Sequence, residues 1–190
     1  MRSPCRGDAP MDLQMDGSNL PKVINFLKEK RPDYFERWVE HIKSALPEID
    51  NIGVRERPED RSLYIYITCD SLEIPSWLLS KGTLRLIAHT LIAYLPVKDQ
   101  IYIIEEPENG LHPLAIESLY QSVSSVYANQ VILATYSPAI LNLSQAEDIL
   151  CFSKTESGAV DIILGDEHTK LKGWGKDINL ATLYASGVLQ

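Results

Sequence analysis

The amino-acid sequence predicts an α/β fold, with helices flanking a sheet and a β-hairpin toward its C-terminal end. Two continuously apolar runs, 101–104 and 131–134, are typical of central parallel strands that are covered on both faces. A helical pattern at about 113–127 separates these runs, and alternating strands and helices indicate α/β architecture. Two later strands, 149–153 and 160–164, are joined through a glycine-containing turn and are expected to close the sheet.

The elements before the first apolar run follow from helical periodicity and strand composition. Residues 1–20 are rich in Pro, Gly, Asp and Ser, which favours an irregular segment. Two amphipathic helices follow, and the second begins at Pro32–Asp33 and places Phe35, Trp38, Val39 and Ile42 at helical spacing. The remaining predicted elements are strands at 52–57 and 63–68 and helices at about 82–94 and 178–186. Because no linker composition interrupts residues 21–190, they are expected to form one domain.

Composition and charge limit the classes of function. The hydrophobic share of 45% and the charged share of 23% are those of an ordinary globular protein. A net charge of −8 opposes a broad surface that follows a nucleic-acid backbone. Three widely spaced cysteines argue against a disulfide framework. No apolar run approaches the ~20 residues that span a bilayer, and residues 1–20 lack the apolar core of a secretory signal. We therefore expect a cytoplasmic protein that has no membrane span.

The segment from Ile101 to Pro113 carries the strongest chemical signal. Its apolar strand ends abruptly in two adjacent carboxylates, Glu105 and Glu106. The carboxyl ends of parallel strands are where open α/β sheets bind ligands. Two neighbouring acids repel each other unless a cation or water lies between them, and a phosphate-bound Mg²⁺ takes only one or two carboxylates. The alternative is that the acids only cap a turn that Asn109 and Gly110 favour.

Two further segments give the acid-tipped strand a context. In Leu79 to Arg85, Ser80 is positioned to N-cap a helix and Gly82 allows a close backbone approach. The amides at such a helix start bind anions, although an ordinary capped helix explains the pattern equally well. Val131 to Pro138 is an apolar strand that ends in polar residues. The order of the three segments is more informative than any one of them.

In that order the segments resemble the ATP-binding-cassette-like ATPases of the RecF, SMC and overcoming-lysogenization-defect group. These AAA-family proteins are often found in DNA repair and phage defence. Residues 79–85 are similar to their signature motif, 101–106 to Walker B, 107–113 to the D-loop and 135–138 to the switch region. The resemblance therefore implies the C-terminal half of an ABC-type P-loop NTPase sheet.

The resemblance also implies roles for individual residues. Glu105 would hold Mg²⁺ through water, and Glu106 would polarise the water that attacks ATP. The signature residues Ser80, Lys81, Gly82 and Thr83 would bind the nucleotide of the opposite subunit in a head-to-tail dimer. Tyr136 stands where the group usually has a catalytic histidine, and a phenol does not titrate near neutral pH as imidazole does. Glu105 stands where aspartate is commoner, which moves the carboxylate by about one methylene.

The phosphate-binding loop of such ATPases is missing from the sequence. Its pattern is Gly-x-x-x-x-Gly-Lys-[Ser/Thr], and the one Gly-Lys pair, Gly175-Lys176, is followed by Asp177. In the group that this chain resembles, the loop lies upstream of the signature. We therefore expect a truncated or split ATPase that is inactive alone. It would hydrolyse ATP with a partner carrying the Walker A motif, and it would meet DNA through a complex.

Two other classes of function stay open at this stage. A decayed ATPase half that serves only for interaction or dimerisation would tolerate Glu106→Gln without measurable change. A metal-dependent nuclease that uses the glutamate cluster would cleave without nucleotide and would lose that activity in Glu105→Ala. His41 and His89 fall within predicted helices and are interpreted as structural or surface residues.

Overall fold

The structure, a computed structural model, describes residues 1–168. The helix predicted at about 178–186 lies outside the described residues. The described residues fall into two compact units, the first Met1–Ala134 and the second beginning at Thr135. The sequence predicts a single domain, and no change in composition marks the boundary after Ala134. None of the helices in the described part of the chain has the length and hydropathy needed to cross a bilayer.

The first unit contains most of the predicted elements. Its helices are α1 (Leu20–Lys30), α2 (Pro32–Ala45), α3 (Lys81–Leu91) and α4 (Pro113–Ser124), and its strands are β1 (Asn51–Glu56), β2 (Leu63–Cys69), β3 (Leu72–Pro75), β4 (Ile101–Glu105) and β5 (Gln130–Ala134). Short 3₁₀ turns lie at Ser76–Leu78 and Ile92–Tyr94. Strands β1, β2 and β3 form an antiparallel sheet, whereas β4 and β5 pair in parallel. The sequence pattern predicts all of these elements except β3 and the 3₁₀ turn at 76–78.

Helix α3 lies at the centre of the first unit. Its residues Leu84, Leu86, Ile87 and Leu91 are buried, and they pack in one cluster with residues of α1, α2, β1, β2 and α4. The indole of Trp38 on α2 donates a hydrogen bond to Thr90 Oγ1 at 3.1 Å, so its polar atom is satisfied in the core. The buried face holds α3 in place, which fixes the position of Ser80 at its start.

The parallel pair is covered on one face and bare on the other. Ile104 is buried, but Ile101 and Ile103 are 65% and 71% exposed. In the register of the pair, Ile103 lies beside Ile132, which is also exposed. The prediction of two covered faces is therefore wrong for the described residues. An unbroken apolar run shows that both faces are hydrophobic, but it does not show what covers each face.

The second unit contains the predicted hairpin. Its elements are helix α5 (Pro138–Leu143), a 3₁₀ turn at Ala146–Asp148, and strands β6 (Leu150–Lys154) and β7 (Val160–Leu164). Strands β6 and β7 pair with each other in a separate two-stranded sheet, so the prediction that they close the main sheet is wrong. Hairpin pairing is local and can be read from the sequence, whereas the attachment of a hairpin to a larger sheet depends on distant residues.

Both histidines that fall on helices have structural surroundings. His41 on α2 bonds through its two ring nitrogens to the Tyr94 hydroxyl at 2.9 Å and the Ser118 carbonyl at 3.0 Å. The Nδ1 atom of His89 on α3 is buried and has no hydrogen-bond partner among residues 1–168. Burial, with a smaller effect of the Arg85 charge, lowers the pKa of His89 to about 4. His89 is therefore neutral in the folded protein at pH 7.

We expect the low pKa of His89 to make the folded state less stable in mild acid. An unfolded histidine has a pKa near 6.5, so between pH 6.5 and about 4 the unfolded chain binds the additional proton. The contribution of neutral His89 is complete above pH 6.5 and is lost as the pH falls toward 4. Between pH 7 and pH 5 the free energy of unfolding should fall by about 2 kcal/mol more in the wild type than in His89→Gln. Urea unfolding of both proteins at the two pH values measures this difference, since other titrating groups cancel. An equal pH dependence would contradict it.

Candidate functional site

Strand β4 carries the two candidate carboxylates to its exposed carboxyl end. Side chains alternate along a strand, so Glu105 lies on the same bare face as Ile101 and Ile103. Glu106 follows the last strand residue, and its amide donates to the Ala134 carbonyl at 2.8 Å. Both carboxylates are exposed. Because the strand ends between them, the two acids leave the sheet edge with different backbone conformations.

Glu106 has a strained backbone. Its φ of +44° lies in the left-handed region, which costs a residue other than glycine roughly 1–2 kcal/mol. The following turn holds this conformation, because the Asn109 amide donates to the Glu106 carbonyl at 3.0 Å. The Asn109 side chain also donates to Glu106 Oε2 at 3.1 Å. Glu106 therefore belongs to a turn, as Asn109 and Gly110 predict, and the turn holds its carboxylate at the surface.

Ser80 caps helix α3, as the sequence predicts. Its hydroxyl oxygen accepts a hydrogen bond from the Thr83 amide at 2.9 Å and lies 2.8 Å from the Thr83 hydroxyl. Lys81 begins the helix and is exposed, and Thr83 is half-buried. The first turn of α3 therefore presents hydroxyls, a cation and a helix N-terminus together, and these groups attract an anion.

The start of α3 lies directly against the turn that follows Glu106. A Cβ atom added to Gly82 would lie only 2.0 Å from the Gly110 carbonyl oxygen. Ser80, Gly82 and Thr83 line a cleft of about 470 Å³ together with Gly110, Leu111 and His112. The structure thus brings the predicted signature and D-loop segments together. Gly82 allows the close backbone approach that the sequence predicts, and the backbone that approaches it is that of Gly110.

Arg85 is a site residue that sequence reasoning missed. From one turn further along α3, its Nη1 donates to the carbonyl of Asn109 at 3.0 Å and to the carbonyl of Glu106 at 3.3 Å. The available signal was a cation among the apolar residues of a core helix, one turn after the Ser80 cap. That signal does not identify the partner, because the turn is 21–24 residues away in the sequence.

His112 has a local structural role. It is the N-cap of α4, and its Nδ1 accepts from the Leu114 amide at 3.3 Å. Within residues 1–168, no group of three or more His, Cys, Asp or Glu side chains is arranged to hold a metal ion. The exposed Glu105 carboxylate nevertheless fits Mg²⁺, because this cation keeps several waters and takes its other oxygens from phosphate groups.

Tyr136 belongs to the second unit and is 72% exposed. The neighbouring Ser137 amide donates to Thr135 Oγ1 at 2.9 Å, and α5 begins at Pro138 immediately afterwards. The sequence predicts a strand end followed by polar residues at this point. The catalytic role of Tyr136 stays a prediction.

Comparison with known families identifies the class of this fold. Residues 19–142, well over half of the chain, match the family described as AAA domain, putative AbiEii toxin, Type IV TA system. The chain belongs to this AAA-domain family. No curated protein matches the chain.

Two solved structures show where else the fold occurs. One comes from work on the ATP-driven dimerization and DNA-stimulated activation of SMC ATPases; it has a TM-score of 0.55 and 14% identity, over 78% of this chain and 94% of that chain. The other is an Smc head bound to the C-winged helix domain of ScpA, with a TM-score of 0.52 and 16% identity, over 74% of this chain and 47% of that chain. At these identities the likeness shows the fold alone, which is similar to that of SMC ATPase heads.

Proposed function

We propose that this chain supplies the signature segment and the catalytic carboxylates of an ABC-like ATPase. ATP would be bound and hydrolysed only when polypeptide outside these 190 residues provides the phosphate-binding loop. The family match and the SMC-head fold support a nucleotide-dependent ATPase. We infer that this chain contributes the signature segment and the carboxylates, and that another polypeptide segment contributes the phosphate-binding loop.

The bare face of the β4–β5 pair carries this proposal. Ile103 and Ile132 lie side by side and exposed on it, and Glu105 lies at its end. Exposed apolar residues that adjoin each other on a parallel sheet favour a covering helix, since parallel sheets normally have both faces covered. A helix that follows a phosphate-binding loop would cover these residues and bring the phosphates to the strand end where Glu105 and Glu106 lie.

Each candidate residue has a role in this reaction. Glu105 would hold Mg²⁺ through water at the strand end. Glu106 would orient a water molecule and accept its proton as the water oxygen bonds to the γ-phosphorus and ADP departs. Positioning and charge stabilisation supply most of the catalysis in phosphoryl transfer, which suits a carboxylate whose backbone and side chain are both fixed.

The signature segment would act on a second nucleotide. The SMC ATPases that share this fold undergo ATP-driven dimerization and are activated by DNA. By extension, Ser80, Lys81, Gly82 and Thr83 would bind the phosphates of ATP held by the opposite subunit of a homodimer. The Tyr136 hydroxyl would hydrogen-bond a phosphate oxygen in place of the usual histidine. DNA would be engaged through the complex, in repair or in phage defence. The net charge of −8 opposes a broad DNA-binding surface on this chain, so DNA would be bound by another component of the complex.

Complementation tests the proposal. The chain is purified alone and together with a polypeptide encoded next to it that carries Gly-x-x-x-x-Gly-Lys-[Ser/Thr]. We expect Mg²⁺-dependent ATP binding and hydrolysis only in the mixture. Ile103→Glu should weaken this complementation at least about tenfold without unfolding the chain, because Ile103 is 71% exposed and its replacement disturbs only what covers it. Equal hydrolysis by the chain alone, or complementation that is indifferent to Ile103→Glu, would contradict the proposal.

A further inference from the structure

We infer that Arg85 is a positioning residue that fixes the Glu106 carboxylate to the signature helix of the same subunit. The inference rests on the proposed function and deepens it. The juxtaposition that carries it is a single guanidinium nitrogen, which donates to the carbonyls of Asn109 and Glu106 at 3.0 Å and 3.3 Å. The first of these carbonyls belongs to the residue whose side chain holds Glu106 Oε2.

Glu106 needs such support because its own backbone does not favour the observed conformation. The residue has a φ of +44°, and its carboxylate is exposed to solvent. Left-handed conformations of residues other than glycine persist where surrounding contacts determine them. Here Asn109 provides one contact to the Glu106 carbonyl and another to its carboxylate. Arg85 holds Asn109 by donating a hydrogen bond to its carbonyl oxygen. Without the guanidinium, the turn would sample other conformations and the carboxylate would lose its direction.

The helix that carries Arg85 is suited to hold the turn. Leu84, Leu86 and Ile87 on either side of Arg85 are buried in the core of the first unit, so the helix cannot move independently of it. Gly82, one turn earlier, packs against Gly110 at the far end of the same turn. The turn is thus held by α3 at two points, and a displacement at Ser80 would reach Glu106 through both of them.

The consequence is a coupling between two events that belong to different nucleotides. A phosphate that settles on Ser80 and the first turn of α3 would come from the nucleotide at the opposite site of the dimer. Glu106 would instead act on the nucleotide whose phosphate-binding loop is supplied to the β4–β5 pair of its own chain. Arg85 joins the two within one chain. Dimerisation would therefore align Glu106 as well as close the site.

A stabilising role alone predicts a different outcome from a positioning role. The two carbonyls that accept from Arg85 lie in an exposed turn, where water can replace the guanidinium at little cost to folding. A displaced catalytic carboxylate, in contrast, slows the chemical step strongly even when binding is unchanged. Stability and turnover should therefore respond differently to a change at Arg85.

The experiment compares Arg85→Met, Arg85→Lys and the exposed control Arg37→Met on α2. In the full chain without nucleotide, we expect amide hydrogen exchange over 106–111 to become about tenfold faster in Arg85→Met, with the melting temperature nearly unchanged. In the ATPase complex, kcat should fall about 30- to 100-fold with KM within about twofold, and Arg85→Lys should recover part of the loss. Arg37→Met should change neither quantity.

The two readouts separate this inference from the proposed function. If the wild-type complex does not hydrolyse ATP but Arg85→Met loosens the turn, the proposed function fails and the positioning contact stands. Unchanged exchange over 106–111 would overturn the inference. So would an unchanged kcat in an active complex, or a loss of activity that only follows a loss of folded protein.

Discussion

Replacing Glu106 with Gln should reduce kcat for ATP hydrolysis about 100- to 10,000-fold in the complex that contains a phosphate-binding loop. Glutamine has nearly the same shape, and its amide oxygen can still accept from the Asn109 side chain, which lies 3.1 Å from Glu106 Oε2. The turn should therefore keep its conformation. What is lost is the negative charge that orients water and accepts its proton. Nucleotide affinity should change little, so steady-state kcat and KM together with ATP binding measure the effect.

A matched control separates catalysis from a general change of charge. Glu59 is exposed in the loop between β1 and β2, and Glu59→Gln removes the same charge far from β4 in the sequence. We expect this variant to hydrolyse ATP at the wild-type rate. If Glu106→Gln also keeps the wild-type rate, the non-catalytic interaction module becomes the better interpretation. Mg²⁺-dependent cleavage of DNA without nucleotide, abolished by Glu105→Ala, would instead favour the nuclease.

Much of the local structure could be predicted because its causes are local. The buried positions Phe35, Trp38, Val39 and Ile42 follow from helical spacing, and all four lie in the core. The Ser80 cap follows from the chemistry of a helix start. The strand that ends at Glu105 could also be predicted, because its residues form a continuous apolar run that two acids terminate. Each of these inferences needs only a dozen consecutive residues.

What could not be predicted depends on residues distant in the sequence. Arg85 meets a turn more than twenty positions away, and neither segment shows this contact by itself. The bare face beside Ile103 is invisible in an apolar run, since covered and uncovered strands have the same composition. The left-handed backbone of Glu106 was also unexpected, because the turn residues that favour such conformations, Asn109 and Gly110, follow it. The local geometry of the candidate site is thus set by tertiary contacts.

Gly82→Ala should have a large effect on folding as well as on activity. The added methyl carbon would lie 2.0 Å from the Gly110 carbonyl oxygen and 2.9 Å from its carbonyl carbon, so something must move. Neither helix α3 nor the turn at Gly110 can move easily. Helix α3 is held by buried Leu84 and Leu86, and Gly110 has a φ of +79° that the turn requires. Overpacking of this kind costs about 1–3 kcal/mol. For a chain of this length, each kcal/mol lowers the melting temperature by about 2–4 °C.

Gly7→Ala provides the comparison, because a Cβ atom there would meet its nearest neighbour, the Arg61 carbonyl oxygen, at 3.8 Å. This ordinary contact should leave the melting temperature nearly unchanged, whereas Gly82→Ala should lower it by several degrees. If the helix and the turn separate to accept the methyl group, the bonds from Arg85 to the turn lengthen too. The Glu106 carboxylate would then be misplaced even in molecules that stay folded. Equal melting temperatures for the two variants would show that the turn gives way freely, and that Gly82 does not hold α3 against it.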